Sequence, residues 1–124
     1  MEVLKLDGTD DTPKIILDIV NNHYEISGRS LPEDVMTFYK PVLDWLQKFA
    51  EKPAEKMNLE IKLEYFNTAS SKLILDILMK LEDINEKGTP ISIKWHYEEN
   101  DEDMQEAGEE YSELVGIPFE LVKY

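Results

Sequence analysis

The sequence predicts an α/β fold, a mixed sheet of about five strands with about three helices mainly on one of its faces. Three observations carry this. Segments whose apolar residues recur every second position interchange along the chain with segments whose apolar residues recur every third or fourth. Strands joined through a helix run parallel, with right-handed crossovers. The strands alternate apolar and polar residues instead of being apolar throughout, which is the pattern of a sheet covered on one side and wet on the other.

The elements follow in order. Ile15, Leu17 and Ile19 alternate before Asn21-Asn22, and Tyr24 and Ile26 alternate after it. Asn tolerates the positive φ of a tight turn, so this is a β-hairpin. Pro32, Glu33 and Asp34 signal a helix start, and Val35, Phe38, Val42, Trp45, Leu46 and Phe49 recur at helical spacing toward Pro53. Pro41 cannot donate to the carbonyl of Thr37, which predicts a kink or a break into two shorter pieces. Leu59, Ile61, Leu63 and Tyr65 then point one way along a strand, and Glu60, Lys62 and Glu64 the other. Ile74, Ile77, Leu78 and Leu81 form the stripe of a second helix closed near Gly88, with Asp76 and Lys80 paired on its outside. Ile91, Ile93, Trp95 and Tyr97 repeat the half-buried strand pattern. Asn100 to Asp103 opens a third helix with Met104, Ala107, Tyr111 and Leu114 on its apolar side, ended by Gly116. A last strand covers about Phe119 to Val122. Glu60, Lys62, Glu64, Lys94 and His96 are left on the open face of the sheet, a solvated surface or a docking one.

The 124 residues suit a single domain, 1–124, with one core. Acidic residues number 27 against 13 basic, a net charge of −14, and a field of that sign repels nucleic-acid phosphates and anionic lipid headgroups. Neither nucleic acid nor membrane is an expected partner. There is no cysteine, so disulfides, thiolate catalysis and cysteine-ligated zinc are out. Met1 to Gly8 has neither the basic start nor the apolar run of a signal peptide, which makes cytoplasmic the expected location.

Catalytic chemistry finds little support. The five glycines are scattered, and nothing resembles a phosphate-cradling loop. His23 and His96 fall on different strands, and Asp7, Asp10 and Asp11 lack the glycine and closing glutamate of a calcium loop. Ser70 and Ser71 have no evident base. The expectation is a protein that is not an enzyme and needs no cofactor or metal.

The junction Asn67-Thr68-Ala69-Ser70-Ser71 is the most informative stretch, because strand passes into helix there with almost no linker. First-turn N–H groups and the helix dipole favour an anion at such a start, so Thr68 is a candidate phosphate carrier. The plainer reading is that Asn67 or Thr68 caps the helix, and from local sequence alone capping prevails.

Gly8-Thr9, Thr12-Pro13, Tyr65-Phe66-Asn67-Thr68-Ala69-Ser70-Ser71-Lys72, Asp76, Trp95-His96-Tyr97 and Pro118-Phe119 together resemble the SiaC family of bacterial regulatory phosphoproteins, across almost the whole chain. The resemblance implies a STAS-like fold, similar to anti-sigma-factor antagonists. It also implies phosphorylation at Thr68, with Asn67, Ser70, Ser71 and Lys72 around it. A partner-switching cycle follows from the family. A histidine-kinase-like serine/threonine kinase adds the phosphate, a PP2C-type phosphatase removes it, and the unmodified form binds a target, in relatives a diguanylate cyclase of cyclic-di-GMP signalling. The chain departs from the family pattern at Ala69, where a serine is expected, and at Pro41. The alternatives are an anti-sigma-factor antagonist or a STAS-like domain that binds a small anion or small molecule. The small-molecule alternative predicts a concave, basic-lined pocket beside Thr68, with Lys72 as its cation.

Overall fold

The computed structural model describes residues 2–124. The elements in order are β1 (Leu4–Leu6), β2 (Lys14–Asp18), β3 (His23–Ser30), α1 (Val35–Glu51), β4 (Met57–Phe66), α2 (Thr68–Glu86), β5 (Ile91–Tyr97), α3 (Glu102–Leu114) and β6 (Phe119–Lys123). The six strands form one mixed sheet in sequential order, with β1–β2–β3 antiparallel and β3 through β6 parallel. The expected α/β class holds. The strand count is six because β1 completes one edge, and its three residues are too few for a period of two to register.

Inward residues of β2 to β5, among them Ile15, Leu17, Tyr24, Ile26, Ile61 and Trp95, share one apolar cluster with the buried sides of all three helices. That cluster makes the sheet one-sided, as its alternation foretold. On the other face Glu60, Lys62, Glu64 and Lys94 are exposed, and His96 is bonded to Glu60 at 2.9 Å.

Four expectations are corrected. Ile19 lies in the hairpin turn, not the strand, because Asp18 accepts from the backbone and side-chain nitrogens of Asn21 and ends β2 one residue earlier. Asn22 does adopt the positive φ, 52°. The first helix is not broken at Pro41: α1 runs from Val35 to Glu51 with the proline inside it. Pro41 is on the exposed side, where water can satisfy the Thr37 carbonyl that loses its donor. Lys80 reaches across to Gln47 of α1 in place of the expected Asp76 pair, tying the two helices together.

The fourth correction shapes the site. Gly28 pairs with Leu63, but the next pair is Arg29 with Tyr65, so Glu64 is an extra residue and β4 bulges there. Gly28, at φ 103°, supplies the backbone freedom opposite the bulge. Beyond it the alternation inverts. Tyr65 turns out, 45 % exposed, and Phe66 turns in, its ring 6.2 Å from that of Trp95.

Candidate functional site

The bulge delivers the chain to α2 in a fixed register. Ser30, the last residue of β3, pairs with Phe66, the last of β4, and the Ser30 carbonyl accepts from the backbone N–H of Asn67 at 3.0 Å. Asn67 is extended and stands just before the helix. Its side-chain oxygen accepts from the Ser70 N–H at 2.8 Å, so the amide is the N-cap. Capping is done by Asn67 alone. Thr68 is the first helical residue, exposed, with its hydroxyl not needed for the cap.

Beneath Thr68 lies a closed chain of hydroxyls. Ser30, Tyr39 of α1 and Ser70 are all fully buried. The Tyr39 hydroxyl is 2.6 Å from the Ser30 hydroxyl, Ser30 donates to the Ser70 hydroxyl at 2.8 Å, and Ser70 donates to the Ser30 carbonyl at 2.9 Å. Ser30 commits its single proton to Ser70, so the Tyr39 phenol donates to Ser30, and burial pushes the phenol pKa up, with the Ser30 bond opposing. Every proton in the chain has an acceptor, and this satisfied network joins β3, α1 and α2 where they meet.

The second support comes from α3. Tyr111 donates to the Ser71 carbonyl at 2.8 Å, and the Ser71 hydroxyl donates to the Thr68 carbonyl at 2.6 Å. Burial, with smaller contributions from Glu110 and Tyr39, pushes the Tyr111 phenol well above its ordinary value, which keeps it a donor. The first turn of α2 is thus held from below by hydroxyls and from the side by a phenol.

The residues named at the junction therefore part company. Asn67 is structural, Thr68 is presented to solvent, Ser70 is sealed in the core, Ser71 is half-buried and engaged, and Lys72 is exposed one turn along from Thr68. Sequence reasoning names neither Ser30 nor Tyr39, and gives Tyr111 only as part of the apolar side of the third helix, not as a donor. Their partners lie 9 to 40 residues away, and no local pattern marks a serine or tyrosine as a buried donor.

The three helices begin at the C-terminal ends of the parallel strands β3, β4 and β5, and their electrostatics differ. Asp34 caps α1, and Asp101 caps α3 with Glu102 and Asp103 in its first turn. The start of α2 has a neutral cap and no acid in its first turn. Its dipole is the one not already met by a carboxylate. A cleft between the end of β4 and the start of α3 is lined by Glu64, Tyr65, Phe66, Asp101, Asp103 and Met104. That lining is acidic, the wrong sign for the basic pocket that anion binding calls for. Among the described residues there is no group of three or more His, Asp or Glu placed to hold a metal ion, and no helix long and apolar enough to cross a membrane.

A one-sided mixed sheet of six strands with three helices, and a solvent-facing threonine at the β4–α2 junction, define an α/β protein whose site is a strand-to-helix bend. The chain belongs to the SiaC family of regulatory phosphoproteins, whose family model matches residues 6–124. It is 34% identical over 121 residues to an uncharacterized protein of Pseudomonas aeruginosa strain UCBPP-PA14, covering 98% of this chain and 96% of that one. Its structure is similar to that of apo-SiaC from Pseudomonas aeruginosa, with 33% identity, a TM-score of 0.89 and coverage of 98% and 99% of the two chains. It is likewise similar to a chain in the structure of the diguanylate cyclase SiaD in complex with its activator SiaC, with 33% identity, a TM-score of 0.91 and the same coverage.

Proposed function

We propose that this chain is a non-catalytic, cytoplasmic partner-switching regulator, a single domain controlled by reversible phosphorylation of Thr68, whose unmodified form binds and activates a diguanylate cyclase. The observation that carries the reading is that Thr68 is exposed at the first position of α2 while Asn67 takes the cap. The cyclase is inferred from the likeness to the SiaC that activates SiaD. The enzymes that write and erase the mark are a histidine-kinase-like serine/threonine kinase and a PP2C-type phosphatase, as the family membership suggests.

Phosphothreonine adds about −1.5 to −2 charge and three acceptor oxygens. At Thr68 those oxygens meet first-turn N–H groups that have no intrahelical acceptor, the dipole of α2, and Lys72 one turn on. The fold accommodates the group. Against a net −14 the increment hardly alters the long-range field, and salt screens exposed charges beyond about 8 Å. The mark therefore acts at contact range, by placing bulk, charge and bound water where the target needs a close fit.

Phosphosite mapping by tandem mass spectrometry of the protein from its source cells tests this. Phosphate is expected on Thr68, and the Thr68→Ala form should capture a cyclase that the Thr68→Asp form does not. Phosphate found only at other residues, or equal capture by both forms, overturns the reading.

A further inference from the structure

The cleft between β4 and α3 is not explained by the phosphosite. Its floor is apolar, made by half-buried Phe66 and by Met104, 6% exposed. Tyr65 stands beside that floor, turned out of the core by the bulge at Glu64. Glu64, Asp101 and Asp103 contribute three carboxylates around it. An apolar floor flanked by an exposed aromatic ring is surface that gains from being covered, and the carboxylates fix the sign of what covers it.

We propose that this cleft docks a segment of a protein partner in which an arginine or lysine adjoins an apolar side chain, the cation meeting Glu64, Asp101 and Asp103 and the apolar group resting on Tyr65, Phe66 and Met104. The Tyr65 ring already holds the chain's own Arg29 guanidinium 5.5 Å from its centroid, which leaves Tyr65 to the apolar contact. Two further features support that occupant. The stretch Glu98 to Glu113 has nine carboxylates and no Lys or Arg, which concentrates the negative field on this side and steers a basic segment to it. A bare metal ion fits poorly, because one Asp101 oxygen is committed to the Met104 N–H and the cleft offers no grouped ligand set.

The inference stands apart from the phosphorylation of Thr68. A phosphate there adds negative charge next to Phe66 and Asn67 and does not repel a cationic segment through space, so either reading can fail alone.

The probe is a synthetic peptide of about ten residues alternating arginine and leucine, compared with an arginine–serine peptide of equal charge. Each is titrated into the ¹⁵N-labelled full chain while amide shifts are followed. The arginine–leucine peptide should shift Glu64 to Phe66 and Asp101 to Met104 first and bind more tightly than its serine counterpart. Glu64→Gln with Asp103→Asn should weaken it about fivefold or more at low salt. Tyr65→Ala should remove the leucine advantage, and an unchanged spectrum elsewhere certifies each variant's fold. Shifts spread evenly over the acidic surface of α3, or equal affinity for both peptides, overturn the proposal.

Discussion

Removing the Ser30 hydroxyl tests the buried hydrogen-bond chain beneath Thr68. Ser30→Ala leaves the Tyr39 phenol, fully buried, without its partner at 2.6 Å, and Ser70 without the donor at 2.8 Å. Ser70 keeps its bond to the Ser30 carbonyl, so the orphaned phenol dominates, at about 1–3 kcal/mol. Tyr39→Phe removes one hydroxyl but leaves Ser30 donating to Ser70, and costs about 1 kcal/mol. In the double variant no phenol is left to orphan, so its cost should fall short of the sum of the singles by about 1 kcal/mol. Urea unfolding reads this directly. With a slope of about 1–3 kcal/mol per molar, Ser30→Ala lowers the midpoint by about 1 M and Tyr39→Phe by less. Strictly additive costs in the cycle would show that the three hydroxyls do not act as a unit, and the account of how Thr68 is held would be wrong.

Other outcomes follow from the same geometry. Asn67→Ala should cost about 1 kcal/mol and Thr68→Ala within about 0.5 kcal/mol of nothing; equal losses in chemical denaturation would mean that the threonine shares the cap. Gly108→Ala would set a Cβ 2.5 Å from Trp95 Cδ1 and from Leu121 Cδ2, and should cost about 1–3 kcal/mol with a change in near-ultraviolet circular dichroism, whereas unchanged stability would contradict the tight seating of α3 on Trp95. The Thr37 backbone N–H, then its hydroxyl, holds the Asp34 carboxyl below the usual carboxylate range. A carboxyl lowered in the folded state contributes stability above its unfolded value, about 3.9, and loses it as pH falls through the folded one. Asp34→Asn, which still caps, should flatten that acid limb of the unfolding curve and leave neutral stability nearly unchanged; an identical acid limb would refute the assignment.

How far the sequence reached depended on the range of the interactions involved. The inward series Leu59-Ile61-Leu63 and the stripe Ile74-Ile77-Leu78-Leu81 are local patterns of burial, and both are found in the core. Tyr65 was misassigned because Leu-Glu-Tyr-Phe reads as unbroken alternation. Only the pairing of β4 with β3 reveals that Glu64 is an extra residue. Pro41 looked disruptive because its cost depends on which side of α1 it occupies, a property of packing. Thr68 was legible as a helix start, but the division of labour between Asn67 and Thr68 was not, since either side chain satisfies the same local rule. Ser70 lies two residues from Thr68, as expected, but its burial in the core is not legible in the sequence. Its burial is set by Ser30 and Tyr39, which arrive from a distant strand and helix.

The central claim is that an accessible hydroxyl on a rigid junction changes partner binding without changing the fold. The direct measurement is calorimetric titration of the proposed partner, a diguanylate cyclase from the source organism, with protein carrying phosphothreonine at position 68, alongside unmodified protein, with amide spectra of both. The account expects a clear loss of affinity on phosphorylation and spectral changes confined to the ends of β3 and β4 and the start of α2. Equal affinities, or a spectrum altered throughout the core, would contradict it.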